Sequence, residues 1–133
     1  MARALSHGLR RHFELHRRWV ETNGNQGTQL TAENAGANFS DLHLDGVYFR
    51  KAKLVAAQFV NCSLVGADFT QADLSGTLFR DSNLTNVTFD EANLDFSAFG
   101  NNLEEAISFR GASMEMANIP SRRRRVTRAD FGM

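Results

Sequence analysis

Residues 66–80 read GADFTQADLSGTLFR. They divide into three phrases of five, GADFT, QADLS and GTLFR, each with a small residue second and Phe or Leu fourth. Stepping by five from Phe39 gives Leu44, Phe49, Leu54, Phe59, Leu64, Phe69, Leu74, Phe79, Leu84, Phe89, Leu94 and Phe99. These thirteen successive positions alternate Phe and Leu without a miss. Two residues before most of them stands a small residue, among them Ala52, Ala57, Cys62, Ala67, Ala72, Thr77, Ser82 and Ala92. A helix needs apolar residues at a period of about 3.6 and a long strand at a period of two. A strict period of five fits neither, and predicts short extended segments with a turn after each.

The phrases ANF (37–39), ADF (67–69), ADL (72–74), ANL (92–94) and ANI (117–119) give the chain a further resemblance. Over about residues 35–120 it resembles the pentapeptide repeat proteins, whose phrase is roughly Ala-Asp/Asn-Leu-x-x. The resemblance implies a mainly β fold: a right-handed quadrilateral β-helix of about four coils, with one phrase per side and an N-terminal α-helical cap. On that geometry residues twenty apart stack at about 4.8 Å, the spacing of neighbouring strands. Phe39, Phe59, Phe79 and Phe99 then form one column and Phe49, Phe69, Phe89 and Phe109 the column facing it, so the aromatic stripe is core. The small positions share the same narrow interior. Cys62 occupies one of them, as a buried and inert thiol. Glu104 falls where Phe or Leu should point inward, which predicts a local distortion turning Leu103 in instead.

The expected organisation is a helical cap and turn over 1–27, repeats over 28–120 and an Arg-rich tail over 121–133. Leu5, Leu9, Phe13, His16 and Val20 fall near one helical face, with Trp19 adjoining, and Thr22–Gly27 supply the stop. His12 and His16, at i and i+4, have no third ligand at matching spacing, so neither a metal nor any other cofactor is expected. In the tail, Arg122, Arg123, Arg124, Arg125 and Arg128 repel one another and favour exposure. No aromatic is interleaved with the run to stack on bases, which disfavours direct nucleic-acid binding. Ala129-Asp130-Phe131 repeats the phrase out of frame, so the tail is expected to fold back with Phe131 docked on the body.

Formal charge sums to zero over the 133 residues but is unevenly placed. Residues 1–21 carry five Arg against two Glu, 22–121 five Lys/Arg against twelve Asp/Glu, and 122–133 five Arg against one Asp, giving +3, −7 and +4. A single Cys excludes an internal disulfide. No apolar run approaches the roughly 20 residues that span a bilayer, and Arg residues interrupt the N-terminus where a signal peptide would be apolar. The chain is therefore expected in the cytoplasm, without membrane contact.

On the side bearing Phe59, Phe79 and Phe99, the outward and corner positions include Ala56, Val60, Leu78, Phe96, Ala98 and Met116. So apolar an exterior predicts a protein-binding surface, self-association, or coverage by the tail. Another side pairs Asp90 with Arg110 one coil above, an exposed and weak contact. No nucleophile–base grouping or phosphate-binding loop is present, so neither an enzyme nor a small-molecule substrate is expected. The leading reading is a non-catalytic interaction or scaffold module. The alternative, which the family resemblance implies, is a DNA-mimicking modulator of a type II topoisomerase; the acidic body suits it, whereas the short rod and basic ends do not.

Overall fold

The computed structural model describes residues 5–35, 37–100 and 106–119. The Glu104 and Leu103 expectation and all the tail residues lie outside the described residues. The repeats form a solenoid of isolated parallel bridges between residues twenty apart, such as His43 with Ser63 and Leu78 with Ala98. Each side is so short that no extended strand develops among the described residues.

A census of backbone donors explains the five-residue phrase. Take Lys53-Leu54-Val55-Ala56-Ala57. Lys53 N–H donates to Leu30 in the coil below, while Leu54 and Ala56 donate to Asp73 and Ser75 in the coil above. Ala57 N–H closes a tight turn onto Leu54 C=O at 3.1 Å. The third residue of that turn, Ala56, has φ +63°, the left-handed conformation of a type II turn. Residues at the same place in other phrases match it, including Gln71 at +61°, Gly76 at +70° and Asn86 at +60°.

One N–H per phrase, on the residue after Phe or Leu, has no backbone partner in this scheme. The Asp/Asn of the phrase supplies the acceptor. Asp68 Oδ1 accepts from Thr70 N–H at 3.0 Å, Asp73 from Ser75 at 3.2 Å, Asn83 from Thr85 at 3.1 Å and Asn93 from Asp95 at 3.0 Å. Elsewhere an Asp in the coil below does the same: Asp45 for Val65 at 2.9 Å and Asp95 for Glu115 at 2.9 Å. Asp and Asn recur because local side-chain acceptors satisfy turn donors.

The interior follows the expected columns. Phe39, Phe59, Phe79 and Phe99 stack with ring centroids 5.2, 5.1 and 5.2 Å apart and planes within 10° of parallel. They meet the opposing column edge-on, as Phe59–Phe69 at 5.6 Å and 82° shows. Both arrangements suit the ring quadrupole. Cys62 is buried; its thiol donates to Phe39 C=O at 3.0 Å, and burial pushes its pKa up.

Helix α1 spans His7–Glu21. It begins at His7 because Ser6 serves as N-cap and its Oγ accepts from Leu9 N–H at 3.2 Å. Phe13 meets Phe49 edge-on at 4.9 Å. His16 is fully buried. Its Nδ1 accepts from Leu30 N–H at 2.9 Å, so the ring proton sits on Nε2, which donates to Arg50 C=O at 2.7 Å. A second helix, α2, covers Ala32–Ala35 inside the segment expected to be regular repeat. There the register slips: Thr31 bridges Lys53, twenty-two residues on, and Leu30 is buried in the core ahead of the first regular phrase.

Candidate interaction surface

The corner position of each phrase must take positive φ, which Gly and Asn tolerate and bulky side chains resist. One corner column reads Ala56, Gly76, Phe96, Met116 from the lower coil upward. Backbone bonds from Ala56 to Ser75, Gly76 to Asp95 and Phe96 to Glu115 hold the column together, each 2.8 Å. Phe96 has φ +62° with 64% of its surface exposed, and Met116 φ +58° with 78% exposed. Two large apolar side chains thus combine an unfavoured backbone with an unfavoured environment.

The neighbouring side carries Leu78 and Ala98, both half-buried and bridged to each other. They stand where the phrase normally has Asp or Asn. Neither side chain can accept the N–H of Arg80 or Gly100 as Asn83 accepts that of Thr85. This side has exchanged a repeated stabilising contact for apolar surface.

The predicted stripe is brought together only in part. Ala56, Phe96 and Met116 share the corner, and Leu78 and Ala98 adjoin it. Val60 sits beyond Phe59 at the far edge of the side, half-buried, with its N–H on Ser40 Oγ at 3.1 Å. The sequence reading misses Val55, which is 43% exposed and immediately precedes Ala56. The signal is there: the same place in higher coils holds Ser75, Asp95 and Glu115.

The expected Asp90–Arg110 contact takes a different form. Asp90 Oδ1 accepts from the backbone N–H of Arg110 at 3.1 Å and from Ser108 Oγ, because the unpaired turn donor lies nearer than the guanidinium. His16 cannot join His12 on a metal while both its ring nitrogens are held by backbone groups. Among the described residues no three His, Cys, Asp or Glu side chains cluster as a metal site, and no helix is long and apolar enough to cross a membrane.

Twenty-residue stacking and a five-residue phrase define a β-solenoid of repeats. A family model described as "Pentapeptide repeat region" matches residues 52–121, and the chain belongs to the pentapeptide repeat family. Membership of that family implies the right-handed quadrilateral β-helix. One similar solved structure is a pentapeptide repeat protein of the Arabidopsis thaliana thylakoid lumen, 24% identical, covering 72% of this chain and 71% of that one, with a TM-score of 0.42. Another is HetL, a pentapeptide repeat protein involved in heterocyst differentiation regulation from the cyanobacterium Nostoc sp. strain PCC 7120. It is 22% identical, covers 71% of this chain and 39% of that one, and has a TM-score of 0.33. No curated protein matches the chain.

The lumenal neighbour corrects the cytoplasmic expectation. That expectation rested on a lone Cys and the lack of an apolar span, and neither feature fixes a compartment.

Proposed function

We propose that the chain is a non-catalytic protein-interaction module. In this reading residues 1–27, with α1 and the following turn, cap a β-helix of about four coils over 28–120, and 121–133 are the Arg-rich tail. The cap assignment is supported by Phe13 against Phe49 and by the two backbone bonds of His16. A solenoid end needs such cover. Pentapeptide repeat proteins are generally non-catalytic, which supports the absence of an active site.

The observation that carries the reading is the exposure of Phe96 and Met116 at left-handed corner positions. Such cost without a folding benefit is characteristic of a contact surface. Topoisomerase modulation has less support, since Asp45, Asp73, Asp90 and Asp95 all accept hydrogen bonds from the chain's own turns.

The test is site-specific photocrosslinking. A benzophenone side chain is placed at Phe96, and at Asn83 on another side as control, with irradiation of the purified chain and of extract from its source cells. Intermolecular protein adducts at 96 and none at 83 are expected. Equal yields at both positions, or none, would sink the reading.

A further inference from the structure

The corner column is a step. Ala56 and Gly76 form a low shelf on two coils, and Phe96 and Met116 project from the next two. The shelf is open. A Cβ placed on Gly76 would meet only the Cα and N of Ala56, at 3.8 and 3.9 Å, so the ring of Phe96 does not lie over it. At Gly111, by contrast, the Glu91 side chain would be 3.3 Å away.

Building on the interaction reading, we propose that this corner pairs with a second copy of the chain, side by side and antiparallel. A two-fold axis crossing the corner between Gly76 and Phe96 sets Phe96 on the partner's Gly76 and Met116 on the partner's Ala56, and the converse. Self-complementarity of this kind is what an isologous interface requires. Coils rise evenly by about 4.8 Å, so both pairs lie symmetrically about the axis and match in height.

Charge fits the same arrangement. Lys53 stands low, three residues before the corner Ala56, and Glu115 high, next to Met116, on the same side, and neither has an ion-pair partner among the described residues. Antiparallel pairing brings Lys53 level with the partner's Glu115, twice per dimer. A parallel pair would instead set Phe96 against the partner's Phe96, leave the shelf empty and turn the Lys53 sides of the two copies away from each other. The apolar surface is limited to a few side chains, so the dimer falls below the roughly 1,200 Å² of standard interfaces and is reversible.

Light scattering of the full chain over a concentration series tests pairing, with the mass expected to rise toward twice that of the monomer. Phe96→Asn with Met116→Asn should stay monomeric with a melting curve at or above that of the native chain, since Asn tolerates the left-handed corner. Lys53→Glu should weaken pairing by about fivefold, and Lys53→Glu with Glu115→Lys should restore it. Geometry is tested by mixing Ala56→Cys with Met116→Cys chains under mild oxidation; the mixed 56–116 disulfide should outpace both like pairs. A constant monomer mass, or predominant 56–56 and 116–116 products, overturns the proposal. So does a photoadduct from position 96 to residues 120–133 of the same chain. If the mass stays monomeric while position 96 crosslinks to a different protein, self-pairing fails and the interaction reading stands.

Discussion

Leu30 donates its backbone N–H to Nδ1 of His16, 2.9 Å away, and thereby fixes the ring as the neutral Nε2–H tautomer. Protonating Nδ1 would set two N–H donors against each other in a site with no exposure to water.

Stability should therefore fall on mild acidification. Burial lowers the His16 pKa from its ordinary 6.5, with the Arg50 carbonyl opposing the shift by a smaller amount. Below 6.5 the unfolded chain takes up the proton while the folded chain does not, so the contribution is fully present above that pH and is lost as pH falls toward the lowered value. The slope is at most about 1.4 kcal/mol per pH unit. Urea midpoints from pH 7.5 to 5.0 should show it. His16→Gln should lower stability at pH 7.5 and flatten the acid limb; an equally steep limb in the variant would contradict the assignment.

Two buried serines should behave oppositely. Ser82 Oγ accepts from Cys62 N–H at 2.9 Å and donates to Phe59 C=O at 2.6 Å, replacing the turn bond that other phrases make directly. Ser82→Ala strands two buried backbone groups and should cost about 2–4 kcal/mol. Ser97 Oγ is buried without a partner among the described residues. Ser97→Ala should be neutral or stabilising by about 1 kcal/mol. Denaturant melts of the two variants measure this, and similar losses in both would refute it.

Gly27 fixes how the chain leaves α1. Its φ is +79°, and a Cβ there would overlap Leu15 O and lie 2.7 Å from Trp19 N. Both atoms are helix backbone and cannot step aside. Gly27→Ala should cost about 2–3 kcal/mol or more, against a much smaller loss for Gly46→Ala, which meets nothing within 4 Å. Thermal unfolding of the pair separates the clash from the shared cost of positive φ.

The repeats were legible because their rules are local. Phe or Leu at every fifth position, a small residue two before and a turn after each specify the coil without reference to distant sequence. Where contacts are long-range, that legibility ends. His16 reads only as one member of an apolar helix face, since its partners Leu30 and Arg50 are 14 and 34 residues away. The register slip at Thr31 and helix α2 precede the first Phe of the series, where no phrase marks the frame. At the candidate surface, Phe96 and Met116 stand out once the phrases are aligned by column. Val55 stands out by the same alignment, as the one apolar residue in a column with Ser75, Asp95 and Glu115, but only when the position before the corner is read as well.

Leu78 offers a way to separate folding from function at that surface. It occupies a phrase position where Asn83 and Asn93 accept an N–H two residues on, at 3.1 and 3.0 Å. Leu78→Asn should give Arg80 N–H the same acceptor, worth about 0.5–1.5 kcal/mol. It gives up only the packing of a half-buried side chain. Stability should change by less than about 1 kcal/mol, while association through the corner weakens. Urea melts and concentration-dependent light scattering on one preparation read both quantities. A loss of several kcal/mol would make Leu78 part of the core, and its apolar character would then need no partner to explain it. Retained stability with weakened association would mean that the side departs from the phrase to bind.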